Sequence, residues 1–281
     1  QSDDCKLAIL KVDGEVLEPG DDGIYRVDKK FLTESVNVDA IANSSYASVS
    51  INGTTPTLEE QVSNVTTPDS ENIIKIRVIA EDGTTKEYTL IVKRLPNNTK
   101  ATITISYMEN GAKKEQTVTV DENNKATVRI GNRESVDVKA TAEDVLAQVS
   151  VNRGLSEVKE STKTVPTTEE STNVPIQIIA QDGTVGNYEI TLVRASSNND
   201  LKSLDATGID SGDILKTSDN TYLIKMPDTM TDLDLTAVAE NEFATVRIED
   251  GDYSTDNTQN TTVTVNENTK EIKIFVKAEN G

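Results

Sequence analysis

Residues Arg77 to Arg94 read RVIAEDGTTKEYTLIVKR. Val78 and Ala80 continue a row begun at Ile74 and Ile76, with Lys75 and Arg77 between them. Side chains that alternate with a period of two point to opposite faces, so this is a strand with one buried face. Asp82-Gly83 is a hairpin signal, because both residues of a tight two-residue turn need positive φ. Beyond it Tyr88, Leu90 and Val92 resume the alternation. The stretch therefore predicts two antiparallel strands facing one core.

The same string returns as QIIAQDGTVGNYEITLVR, Gln177 to Arg194, and its first half as FVKAENG, Phe275 to Gly281. Working outward, other blocks recur in the same order. YASVSING (from Tyr46), LAQVSVNRG (from Leu146) and FATVRIEDG (from Phe243) share a large residue, an alanine, an alternating pair and a turn. SVNVDAIA, SVDVKATA and DLDLTAVA precede them, at Ser35, Ser135 and Asp232. Fixed-period self-similarity marks a repeat architecture. Each unit spans roughly 90–100 residues with six or seven short strands, the size of an immunoglobulin-like sandwich of two sheets over a thin core. Such a unit closes its own core, so the repeats read as separate domains at 1–95, 96–196 and 197–281, joined by the polar linkers RLPNNTK and RASSNND. No stretch has convincing helical spacing. TPTLEEQVSNV, Thr55 to Val65, reads as a loop with one poor strand, and the second repeat opens on a long hairpin around Asn110-Gly111.

Composition bounds the function classes. The net charge is −20, from 48 acidic and 28 basic residues. Phosphate recognition needs clustered Lys and Arg, so nucleic acid and anionic membrane are not expected partners. No apolar run approaches the ~20 residues of a membrane span, and the opening QSDDC does not read as a signal peptide. There is no His, which removes the usual general base, the Ser-His-Asp arrangement and nearly every zinc site. The one Cys, Cys5, reads as a small hydrophobe at an apolar position of the first strand.

The block order is nameable. An opening strand ending in GEVLEP (Gly14 to Pro19), then Y-x-V, V-x-V-x-A-x-A, A-x-V-x-I-N-G and the hairpin closing on YTLIVKR resembles the bacterial cadherin-like β-sandwich domain. The resemblance implies an all-β chain of three tandem Ig-like, cadherin-like antiparallel β-sandwiches. It also implies secreted or cell-surface proteins of bacteria and no catalytic activity. Laid on that family, Cys5 takes the place that Leu201 holds in the third repeat. The third repeat lacks the last strand, the counterpart of Tyr88, Leu90 and Val92. A cut at the Asn280-Gly281 turn and a strand donated by a neighbouring molecule both fit, and either leaves an open sheet edge.

Chemistry must be argued from a site. Acid-rich turns supply the hard oxygens calcium takes. Asp250, Asp252 and Asp256 are the candidates, with Asp21 to Gly23 and Asp210 to Asp213 behind them. None repeats at equivalent positions, which favours solvated turn acids and no cofactor. Glycan-binding sandwiches stack sugars on exposed aromatics; with no Trp, Tyr107 and Tyr253 are the ligand candidates, while Tyr25, Tyr88, Tyr188 and Tyr222 fit core positions. Five N-x-(S/T) sequons, at Asn43, Asn52, Asn64, Asn97 and Asn260, follow from a composition rich in Asn and Thr. The outward placement of Lys75, Lys139 and Lys273 gives no sign of an isopeptide bond. The reading is a non-enzymatic extracellular stalk, spacer or adhesion segment whose partner is a protein or glycan at the cell surface. A carbohydrate-binding array and a subunit of a strand-exchange assembly are the alternatives, the last with a neighbour at the open edge.

Overall fold

A computed structural model describes residues 1–266 and 271–281. Its contacts gather into two compact units, residues 1–104, 139–163 and 175–188 in one, and 105–138, 164–174 and 189–281 in the other. Each is described by itself. Among the described residues the chain is β throughout, apart from a single 3-10 turn at Ser211–Asp213.

The first repeat lies wholly in the first unit. Its strands are β1 (Leu7–Val12), β2 (Glu15–Leu17), β3 (Tyr25–Lys29), β4 (Ser35–Ala42), β5 (Ser48–Ile51), β6 (Thr57–Leu58), β7 (Glu60–Thr66), β8 (Glu71–Ile79) and β9 (Thr85–Arg94). They form two sheets, β2-β1-β4-β7 and β3-β9-β8-β5-β6. The predicted alternation is what buries them. On β8, Ile74, Ile76 and Val78 are at most 1% exposed while Lys75 and Arg77 face out. They join Val36, Val38 and Ala40 of β4 and Leu90 and Val92 of β9 in one core. Each large aliphatic side chain so buried stabilises the fold by roughly 1.5–3 kcal/mol.

Three expectations need correction here. The sandwich is not purely antiparallel: β3 runs parallel to β9, with Tyr25 opposite Leu90 and Val27 opposite Val92. Alternation is the same in both pairings, so the pattern could not distinguish them. The segment read as a loop with one poor strand carries most of β7, a full strand paired with β4 from Ser35↔Thr66 to Ile41↔Glu60. Cys5 precedes β1 and is only partly buried against the core. Leu7 is the true counterpart of Leu201, since they face Ala42 and Ala239 respectively.

The second repeat holds β10 (Ala101–Glu109), β11 (Ala112–Val118), β12 (Lys125–Arg129), β13 (Ser135–Ala142), β14 (Gln148–Val151), β15 (Glu157–Val158), β16 (Glu160–Pro166), β17 (Ser171–Ile179) and β18 (Val185–Val193). Its sheets, β11-β10-β13-β16 and β12-β18-β17-β14-β15, reproduce the first repeat, including the parallel pair, here β12 with β18. β11 and β10 are the expected hairpin, turning at Asn110 and Gly111 with φ of 50° and 78°.

The third repeat belongs to the second unit. Its strands are β19 (Leu201–Ala206), β20 (Ile214–Ser218), β21 (Thr221–Ile224), β22 (Asp232–Ala239), β23 (Thr245–Ile248), β24 (Thr258–Thr264) and β25 (Ile274–Lys277). One sheet, β19-β22-β24, matches the earlier β1-β4-β7. The other is reduced among the described residues to the pair β23-β25. β21, the counterpart of β3, makes a separate hairpin with β20. The core is built on Leu233, Leu235, Ala237, Val246 and Ile248.

Candidate functional site

Among the described residues no three carboxylate or thiol groups come together as ligands. Asp256 spends its Oδ1 on the Thr258 N–H (2.9 Å), and its carbonyl accepts from the Ser254 hydroxyl. In the first repeat Arg26 grips both oxygens of Asp22, at 2.9 and 2.6 Å, and pulls that carboxyl down to about 2. Asp22 and Asp256 thus close their own turns, each spent on a neighbour.

The two tyrosine candidates sit apart, Tyr107 on β10 and Tyr253 in the loop before β24. The Arg133 guanidinium lies 3.6 Å from the Tyr107 ring centre and covers one face of it. Tyr253 is 41% exposed. It and Phe275 flank Arg247, at 5.1 and 4.2 Å. Aromatic and guanidinium planes attract through the ring quadrupole, so both tyrosines already have a stacking partner. Of the other five, Tyr25 and Tyr188 are buried, Tyr88 and Tyr222 pack on their cores, and Tyr46 is exposed. Burial pushes the Tyr25 and Tyr188 phenols up from their usual value.

The sequence pattern did not reveal what two of these tyrosines do with their hydroxyls. Tyr88 accepts from the Leu7 N–H at 3.0 Å and donates to the Cys5 carbonyl at 3.2 Å. Tyr188 accepts from the Ala101 N–H at 3.1 Å and donates to the Thr99 carbonyl at 2.9 Å. In each of the first two repeats the last strand thus clasps the chain as it enters the first strand. A second clasp recurs at the A-x-(D/N)-G turn. Asp82, Asp182 and Asn280 donate their N–H groups to the carbonyls of Ser2, Pro96 and Ser196. At the joint between the first two repeats Asp182 also accepts from the Phe31 N–H. In the second unit Glu279 pairs with Arg129 and accepts from the Ser196 N–H, and Asn132 donates to the Asn280 carbonyl. Burial opposes the Glu279 charge, but Arg129 and the Ser196 amide outweigh it and hold the carboxyl below its usual value.

A concavity lies within the third repeat. It is a cleft of about 1070 Å³ running between β21 and β25, walled by Tyr222 and Ile224 on one side and Ile274 and Val276 on the other. Its charged lining residues are Asp219, Asp228 and Glu271. No basic residue lines it among the described ones.

No curated protein matches the chain. Solved structures that resemble it include the fibronectin(III)-like modules of Clostridium thermocellum CbhA (14% identity over 66% of this chain and 94% of that one, TM-score 0.30). Another is human CDH23 EC21-23 (11%, 86% and 97%, TM-score 0.29). A third is a 1.5-MDa bacterial ice-binding adhesin (15%, 96% and 86%, TM-score 0.28). The family model that matches covers residues 21–95 and is described as a cadherin-like beta sandwich domain, so the first repeat is similar to that family.

Proposed function

We propose that the chain is a non-enzymatic extracellular spacer and adhesion segment of a bacterial surface protein. The observation that carries this reading is the clasp at the entry to every repeat. In each, a turn N–H holds the incoming backbone, at 3.2, 3.2 and 3.1 Å for Asp82, Asp182 and Asn280. A linker of a few residues restricts domain angles without fixing them; hydrogen bonds from the turn to that linker tighten the restriction. A chain that transmits position or load needs such joints and no reactive centre. The reading takes no resident cation, so melting in EDTA and in added Ca²⁺ should coincide.

Pulling single molecules of the full chain tests it. Each repeat should open as a step releasing about 30 nm of contour, from some 90 residues at 3.3–3.6 Å each. Asp182→Pro, which removes the clasp donor, should lower the force of the step that includes it. One continuous featureless extension would sink the spacer reading.

A glycan-binding module is the second reading, favoured only by the exposed ring of Tyr253 beside Arg247. Saturable binding on a glycan array, lost in Tyr253→Ala, would put it first.

A further inference from the structure

We propose that Arg129 locks the joint between the second and third repeats, and that the joint between the first and second, built without any part of that lock, is where the chain bends.

The parts of the lock all lie in the second compact unit. Arg129 ends β12 and faces outward, since Val128 beside it is buried. Its guanidinium meets both carboxylate oxygens of Glu279, with Nε 2.9 Å from Oε1. The same guanidinium lies 3.7 Å from the ring centre of Phe243, in the turn before β23. The Ser196 N–H donates to the Glu279 carboxylate at 3.0 Å, and Asn132 donates to the Asn280 carbonyl at 2.9 Å. One arginine of the second repeat is thus held by an acid and a ring of the third. A bidentate guanidinium–carboxylate pair fixes direction as well as distance. Stacking on a ring fixes the guanidinium plane.

Register and hydrogen bonds identify the counterparts at the first joint, which all lie in the first unit. Val27 faces Val92 and Asp28 faces Lys93, as Val128 faces Leu192 and Arg129 faces Val193, so Asp28 stands where Arg129 does. The Asp182 and Asn280 N–H groups donate to the Pro96 and Ser196 carbonyls, so Gln181 corresponds to Glu279 and Pro96 to Ser196. Ala147 donates to Asp144 and Ala244 to Asn241, so Leu146 corresponds to Phe243. Every part is changed. Asp28 carries the opposite charge, Pro96 has no N–H to offer, and Leu146 has no ring face. Gln181 instead donates to both oxygens of Asp144, at 3.0 and 2.9 Å, inside its own repeat.

Among the described residues a single hydrogen bond crosses the first joint, from the Phe31 N–H to Asp182 at 3.3 Å. The clasp from Asp182 to Pro96 ties the linker to the second repeat and leaves the first to turn about it. The amide–carboxylate half of the lock recurs in the first repeat, where the Ser2 N–H donates to Glu81 at 3.0 Å. Serine goes with glutamate in both places, and proline with glutamine at the first joint.

Residual dipolar couplings of the full chain, read repeat by repeat from assigned amides, test the lock. The second and third repeats should share one alignment tensor. The first should have its own, with a narrower range of couplings. Arg129→Gln should give the third repeat a separate tensor. Raising the salt from about 0.1 M to about 1 M, which shortens the screening length from ~10 Å to ~3 Å, should do so in part. A transplant guards against a variant that merely loosens the fold. Asp28→Arg, Pro96→Ser, Leu146→Phe and Gln181→Glu together should bring the first repeat onto the tensor of the second. A single tensor for all three repeats in the unaltered chain would overturn the proposal. So would an Arg129→Gln chain with couplings unchanged, or a transplant that leaves the first repeat independent. The contour released by each unfolding step under force does not depend on joint stiffness, so the lock and the spacer reading fail separately.

Discussion

The first and third repeats share their register almost residue for residue in one sheet and differ in the other. In both, the first strand pairs with the V-x-V-x-A-x-A strand, and that strand pairs with the edge strand after it. In the second sheet the first repeat has five strands around β9, whereas the third has β23-β25 and a separate β20-β21 hairpin. Leu10 is 1% exposed and its counterpart Leu204 8%; Ile76 is buried and its counterpart Ile274 half-buried. One strand thus decides whether two half-sheets become one face of a core. β9 contributes to both at once, because it is the only strand that touches β3 and β8 together.

The sharpest way to break that comparison is to damage matching positions. Leu90→Ala removes a fully buried side chain at the centre of the five-stranded sheet. The expected loss is about 2–5 kcal/mol, the usual range for a buried leucine. Ile274→Ala acts on a side chain that still meets solvent and should cost less than half as much. Urea unfolding followed repeat by repeat through assigned NMR signals measures both. Equal losses would mean that the cleft between β21 and β25 is already closed.

The next largest effect belongs to the hydroxyl clasp. Tyr88→Phe leaves the Leu7 N–H and Cys5 carbonyl without their partner. A partly buried donor and acceptor left unmet cost about 1–2 kcal/mol. Tyr188→Phe should match it, since its distances are the same within a few tenths of an ångström. If either change is neutral by urea melt, the clasp is not part of what holds the last strand in place.

A smaller test concerns the turn after the fifth strand of each repeat. The first repeat has Asn52 and Gly53 at φ of 47° and 76°; the second has Asn152 and Arg153 at 49° and 56°. An L-residue with a side chain pays roughly 1 kcal/mol for that left-handed conformation and glycine does not. Arg153→Gly should therefore stabilise the second repeat by about 1 kcal/mol, and Gly53→Ala should weaken the first by a similar amount. Thermal melts that move in the same direction for both would contradict the turn assignment.

What the sequence disclosed follows from where information is written. Buried strands carry it in their own side chains, so Ile74, Ile76 and Val78, or Val136, Val138 and Ala140, announce themselves. β7 does not, because an edge strand over the rim of the core turns Gln61, Ser63 and Val65 inward and leaves Val62 59% exposed. The partner of a strand is also unwritten: β3 and β9 are far apart in the chain, and nothing in Y-x-V says which edge it joins. The clasp was not legible, since a tyrosine leading an apolar row reads as core whether or not its hydroxyl reaches the entering backbone.

The smallest effect separates the first two repeats on their outer face. Asp39 and Glu60 of the first correspond to Lys139 and Glu160 of the second. Lys139 sits 2.9 Å from Glu160 and holds its carboxyl below the usual 4.5. Beside Glu60 stands another acid, Asp39, which raises the Glu60 carboxyl above 4.5. Asp39 Oδ2 meets Lys11 at 3.2 Å, but its Oδ1 is buried without a hydrogen-bond partner, and a proton on Glu60 would give it one. The signs are opposite. Any stability from Glu60 is present below 4.5 and is lost as pH rises through its raised value. That from Glu160 is present above 4.5 and is lost as pH falls through its lowered value. Carboxyl carbon NMR should find Glu60 titrating above Glu160. Asp39→Asn should bring Glu60 down towards 4.5, and Lys139→Met should bring Glu160 up to it. Coincident titrations in the unaltered chain would show that solvent screens both pairs completely and that the two faces differ in sequence only.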